Sequence, residues 1–209
     1  MIDRSGMEVE RKYWLIRPED KVTVPQAMAE FQSRIAPVLA EFPDTRLHIF
    51  DGHDTYLRQP DFQGFVRVRT NLLRSEMTAK IIGTPDSERR PEVNLKVTSP
   101  EDDQVRFLEL IGFQRVVTVR QSGNLFIIPG RAEIVVYRTE RLPGLTDPRA
   151  FVEIEALGGV TVDEAVALVD DFERRLGLSA EKRCRQSIYA IYGLSLDLIV
   201  SQCRKAQVD

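Results

Sequence analysis

Six short stretches of this chain alternate residue by residue, and the polar residues of each set point one way. In an extended strand successive side chains face opposite sides. In "MEVERKYWLI" this puts Glu8, Glu10 and Lys12 on one face, and Val9, Arg11 and Tyr13 on the other. "FVRVR" sets Arg67 and Arg69 opposite Val66 and Val68, and "SEMTAKII" sets Glu76, Thr78 and Lys80 opposite Met77, Ala79 and Ile81. "PEVNLKV" sets Glu92, Asn94 and Lys96 opposite Val93, Leu95 and Val97. "VVTVR" supplies Thr118 and Arg120, and "FVEIEA" sets Glu153 and Glu155 opposite Val152 and Ile154. Each stretch alone is an antiparallel strand with one wet face. Together they carry more order than that. Carboxylate pairs gather on the first and last, basic residues on most of the others, and the opposite faces are apolar enough to receive helices. The arrangement that satisfies all of them is a closed barrel with helices outside and a charged, hydrated lumen.

The remaining segments supply those helices. "VPQAMAEFQSRIAPVLAEF" spaces Ala27, Phe31, Ile35, Val38 and Leu39 as a helix does. Pro25 suits its first turn, and Pro37 predicts a kink or an early stop. "RLHIFDGHDTYLR" is expected to be extended, with a turn near Asp51-Gly52. "SPEDDQVRFLELIG" opens with acids and ends at Gly112, as a helix would. "FQRVVTVRQSGNLFII" and "GRAEIVVYRT" are strands. "TVDEAVALVDDFERRLG" is an amphipathic helix with Ala165, Val166, Val169, Phe172 and Leu176 on its stripe. "AEKRCRQSIYAIYG" and "SLDLIVSQCRK" are expected as two shorter helices. Short connections favour antiparallel pairing. The expected fold class is α+β, a single domain over residues 1–209 built on a closed eight-stranded antiparallel barrel with surrounding helices.

A chain of 209 residues with 43% hydrophobic and 29% charged residues has enough apolar material for a sizeable core. The net charge of −3 gives no global reason to expect nucleic acid, and no run of about 18 apolar residues suggests a membrane span. Cys184 and Cys203 lack metal-ligand spacing and are expected as buried thiols; with no apolar leader at the start, a cytoplasmic setting is expected. His48 and His53 have no second ligand at metal spacing. Function therefore rests on the lumen. Several Lys and Arg in one enclosure repel each other unless anions neutralise them. Paired carboxylates there offer hard oxygens to Mg²⁺ or Mn²⁺. Cations together with a divalent metal are what phosphoryl transfer requires.

At this point the residues resemble a known family. "EVERK" resembles the ExExK signature of the CYTH superfamily, the triphosphate tunnel metalloenzymes. "HDTYL" resembles its aspartate-Thr-Tyr segment, "VRVR" its RxR strand, "MTAK" its LTLK strand and "RPEVNLKV" the strand that follows. "IGF" at 111–113, "FVEIEA" and "RQSIYAIYG" resemble later landmarks in the same order. The resemblance implies a tunnel that binds a triphosphate through metal and basic residues. It implies Glu8, Glu10, Glu153 and Glu155 as metal ligands for Mg²⁺ or Mn²⁺, and Lys12, Arg67, Arg69, Lys80, Lys96 and Arg120 as phosphate ligands, with Lys96 near the limit of the tunnel. Tyr56 with Lys80 resembles a catalytic Tyr–Lys dyad of some members, although a tyrosine with an ordinary pKa near 10 is a poor base.

Three positions depart from the family pattern: Arg58 where an acid is common, Thr118 where a lysine is common, and Tyr137 where an aspartate is common. The implied activity is metal-dependent hydrolysis of a triphosphate, inorganic or organic. The alternatives are an adenylate cyclase acting on ATP and a non-catalytic polyphosphate- or nucleotide-binding module. The expected partner is a small-molecule triphosphate, with neither nucleic acid nor membrane; a homodimer is left open.

Overall fold

A computed structural model of the protein describes residues 7–17, 20–71, 73, 75–81, 89–140, 149–158, 161–186 and 188–191. Eight strands appear in chain order: β1 (Met7–Trp14), β2 (Arg46–Arg58), β3 (Gly64–Asn71), β4 (Ser75–Ile81), β5 (Arg89–Lys96), β6 (Gln114–Ile128), β7 (Ala132–Thr139) and β8 (Arg149–Ala156). All pair antiparallel, in the spatial order β1-β5-β4-β3-β2-β6-β7-β8. The sheet curls until its two ends meet on β1. Met7, Glu8 and Val9 pair with β5, and Glu10 to Trp14 pair with β8. Beyond that short seam a different segment meets β1: Tyr13 bridges to Arg183, and the Cys184 N–H donates to the Lys12 carbonyl at 2.7 Å.

Three helices lie on the outside: α1 (Val24–Ala40), α2 (Glu101–Leu110) and α3 (Val162–Arg175). A 3₁₀ turn at Ala180–Lys182 and a short α4 (Ile188–Ile191) follow. Capping boxes start two of the helices. Thr23 and Gln26 bond reciprocally at α1, and Thr161 and Glu164 do so at α3. Glu101, Asp102 and Asp103 put negative charge on the first turn of α2. Among the described residues no helix is long and apolar enough to cross a membrane.

The α+β class holds, and three local expectations are corrected. Pro37 does not stop α1, which continues to Ala40. The carbonyl it leaves without an amide partner belongs to exposed Ser33, where water can satisfy it. No turn falls at Asp51-Gly52, because β2 runs unbroken through both. A Cβ on Gly52 would stand 2.2 Å from the Thr70 carbonyl oxygen, so this glycine serves a close strand approach. The single helix expected from Ala180 is divided, because Arg183 and Cys184 are drawn out extended against β1. Residues 192–209, with the last expected helix and Cys203, lie outside the described residues.

The outer faces of the strands hold the main core. Phe31 and Ile35 of α1 and Val169 and Phe172 of α3 pack on Ile134, Val136, Val152 and Ile154 of β7 and β8. Each such side chain contributes roughly 1.5–3 kcal/mol when fully buried. Val105 and Leu108 of α2 cover Leu57, Val66 and Val68. Arg11 also points outward from β1, and at 7% exposure it needs partners. Asp170 and Glu173 of α3 supply them, and Glu173 accepts from Arg183 at 2.7 Å as well.

Candidate active site

Because outward positions are claimed by this core, the alternate positions of the same strands point inward. Glu10 and Lys12 of β1, Arg67 and Arg69 of β3, Lys80 of β4 and Glu153 of β8 line one cavity of about 40 Å³. That is room for about three waters. The remaining wall is Tyr56, Phe65, Tyr137 and Ile188, with the Gln121 amide.

The cations in this cavity do not face one another bare. Arg69 holds Asp54 with two parallel bonds, Nε to Oδ1 at 2.8 Å and Nη2 to Oδ2 at 2.7 Å. Asp54 also accepts from Gln121 at 3.1 Å and Tyr56 at 3.4 Å, and Arg67 lies 3.9 Å from it. Arg67 reaches Thr78 at 3.1 Å and Glu76 at 3.6 Å. Lys80 sits 2.7 Å from Glu92 and 3.6 Å from Glu10. Lys12 is 3.0 Å from Glu153, which accepts from the Tyr137 hydroxyl at 2.7 Å. Lys12, Arg67, Arg69 and Lys80 are thus matched by Glu10, Asp54, Glu76, Glu92 and Glu153. Among the described residues, the lumenal cations are therefore neutralised by carboxylates. A polyanion that enters competes with these carboxylates for the cations.

The structure gathers Glu10, Lys12, Arg67, Arg69, Lys80, Glu153 and Tyr56. Glu155 shares the inward face of β8 and is half-buried; its Cα pairs with Glu10 on one side and Glu133 on the other. The alternation of β7 puts Glu133 on the face of Tyr137. The Glu8 side chain lies outside the described residues. Among the described residues no three acidic, His or Cys side chains stand close enough together to hold a metal ion. The donors that line the cavity are nonetheless hard oxygens, the type that suits Mg²⁺ or Mn²⁺.

Two phosphate-ligand expectations are corrected. Arg120 faces outward, half-exposed, and bonds Asp51 at 2.9 and 3.1 Å with Glu140 at 3.5 Å. Thr118 faces out with it, against Thr55 at 2.9 Å, while Val119 and Gln121 take the inward positions. Lys96 is exposed at the end of β5 and does not line the cavity. Arg58 is 5% exposed and donates to the Phe62 carbonyl at 3.5 Å.

The Tyr56 base role is also opposed by its surroundings. Burial, with the Asp54 charge adding to it, pushes the Tyr56 phenol well above its ordinary value. Burial and then Glu153 do the same to Tyr137, and burial and then Glu173 to Tyr13. A base needs the opposite shift. Raised folded-state values mean that the stability these phenols contribute is full below pH about 10 and is lost as pH rises through their folded values. In an alkaline titration followed by phenolate absorbance, these three of the five tyrosines should ionise only together with unfolding. Ionisation of all five while the far-ultraviolet dichroism stays native would refute the burial.

The eight-stranded antiparallel curled sheet is a fold found in other solved structures. The fold is shared, at 19% identity and a TM-score of 0.68, with the PH1012 protein of Pyrococcus horikoshii, over 88% of this chain and 98% of that one. It is shared with a candidate adenylate cyclase of Vibrio parahaemolyticus at 15% identity and a TM-score of 0.62, over 90% and 98%. A candidate adenylyl cyclase of Hippeastrum, described as having a dominant triphosphatase activity, matches at 13% identity and a TM-score of 0.55, over 92% and 98%. No protein-family model and no curated protein matches the sequence.

Proposed function

We propose that the protein is a metal-dependent triphosphatase that binds the phosphate chain inside the curled sheet. One observation carries the reading: Lys12, Arg67, Arg69 and Lys80, from three strands, converge on a single cavity with Glu10 and Glu153 at its wall. The Hippeastrum neighbour's triphosphatase activity agrees with it.

The residues divide the labour by their chemistry. Arg67 and Arg69 present planar donor forks that match phosphate oxygens two at a time. Lys12 and Lys80 are point charges that follow charge as it develops on the leaving oxygens. Glu10 and Glu153, with Glu155 and Glu8, would hold Mg²⁺ or Mn²⁺. A bound divalent ion supplies Lewis-acid neutralisation of phosphate charge. It also answers the excess of carboxylates, which otherwise opposes a polyanion. Tyr137 holds Glu153, and Tyr56 and Gln121 hold Asp54, so the charged groups keep their direction while the phosphate enters. A water then attacks the terminal phosphorus in line.

Phosphate release from inorganic triphosphate, thiamine triphosphate and ATP, with each metal, tests the reading. Metal-dependent release is expected from at least one. Cyclic nucleotide from ATP would point to a cyclase, and no turnover with tight binding to a binding module. Because the cations are already paired, triphosphate alone should raise the melting temperature little, and triphosphate with Mg²⁺ much more. Equal shifts with and without metal would contradict the charge count.

A further inference from the structure

The helix α2 is apolar on more than the face it buries. Val105 and Leu108 point down onto β3, while Phe107, Leu110 and Ile111 each stand more than half exposed. Two strands from β3, on β5, Val93 and Leu95 are exposed to the same degree. The two sets belong to one surface. Gln104 reaches down to Ser75 of β4 at 2.7 Å, and Phe107 and Ile111 follow it at i+3 and i+7 on the same flank of the helix. Met77 and Ala79 of β4, partly buried against the α2 cluster, are the cross-strand neighbours of Leu95 and Val93. A shallow apolar trough therefore runs between α2 and β5, floored by β4. Isolated apolar side chains are ordinary on a surface, but a contiguous group with charge at its rim marks an interaction site.

The charge at the rim indicates what covers it. The first turn of α2 carries exposed Asp102 and Asp103. Beyond its other end stands Arg115, half-exposed and 3.9 Å from Glu109. Asp102 lies seven residues before Glu109, so it shares the flank that faces Arg115. Opposite charges at the two ends of one flank complement a copy of themselves. A two-fold axis across the middle of α2 lays the helix antiparallel on its counterpart, sets the acidic end of each against Arg115 of the other and opposes the two helix dipoles. The apolar side chains of both copies then meet at the centre with the charges outside, the layout of a stable pair that buries roughly 800 Å² on each partner.

We propose that the protein forms a two-fold dimer with a second copy of itself through the α2–β5 face, α2 running antiparallel across the axis. The pairing does not depend on what the lumen binds. Sedimentation equilibrium of the full chain under reducing conditions tests it, and a reversible monomer–dimer equilibrium is expected. Leu110→Lys and Phe107→Glu should each raise the dissociation constant about tenfold or more. Leu110 is 76% exposed, so its replacement should leave the melting temperature of the monomer unchanged. Arg115→Glu should weaken the dimer about fivefold, and Asp102→Lys added to it should restore most of that loss. A monomer at every concentration, or a dimer that Leu110→Lys and Phe107→Glu leave intact, would overturn the inference. A dimer that Arg115→Glu leaves as tight, or that the reversed charge pair does not recover, would overturn the antiparallel arrangement.

Discussion

Replacing Asp54 with alanine will cost the protein roughly 3–5 kcal/mol of stability. Asp54 is 2% exposed and is the common acceptor for Arg69, Gln121 and Tyr56. Without it, the Arg69 guanidinium stays in the lumen with its two bonds broken, and two neutral donors lose their acceptor. An uncompensated buried charge is the expensive outcome, more so than the lost attraction itself. Two further variants separate these terms. Asp54→Asn keeps the shape and one acceptor, and should cost less. Asp54→Ala combined with Arg69→Met removes both charges and should recover a good part of the loss. Urea denaturation of the set measures this. A loss below about 1 kcal/mol for Asp54→Ala would show that water reaches and solvates Arg69.

Glu10→Gln should behave in the opposite way, lowering metal-dependent turnover at least tenfold while leaving the melting temperature nearly unchanged. Glu10 contacts Lys80 at only 3.6 Å, and Lys80 keeps Glu92 at 2.7 Å when that contact goes. Little stability is at stake, but an amide is a much poorer ligand than a carboxylate for a hard divalent ion. Raising Mg²⁺ or Mn²⁺ should recover part of the rate. Unchanged turnover at limiting metal would remove Glu10 from the site.

Where one face of a strand was claimed by helices, its alternation was legible in the sequence. Val66 and Val68 had to face α2, so Arg67 and Arg69 had to face in, and Val152 and Ile154 likewise placed Glu153 and Glu155. β6 failed the same test for a physical reason. Its outward side carries Arg120, half-exposed and paired with Asp51, and Ser122, which accepts from Arg138, while its inward side takes Val119 with Gln121. Polar residues on a strand mark the wet face, and in a barrel both faces can be wet. A register shift between β2 and β6 at Tyr56/Leu57 adds an irregularity that strict alternation does not anticipate. Asp54 was visible as part of "HDTYL", but its role was not, because its partners Arg69 and Gln121 come from two other strands.

The seam on β1 has a consequence for how the molecule is made. Glu10 pairs with Glu155, Tyr13 bridges Arg183, and three residues of β1 pair with β5, so this early strand has no partner near it in sequence. Bringing such distant segments together carries a loop-closure entropy that local hairpins avoid, and contacts of this kind set slow folding rates. The hairpins from β2 to β4 and from β6 to β8 can form early, whereas the ring waits for its first strand. Because that strand carries Glu10 and Lys12, closure and completion of the charged cavity are one event. A chain still emerging from the ribosome can hold much of its sheet and yet have no site until β8 and the Arg183 segment have been synthesised and have captured β1.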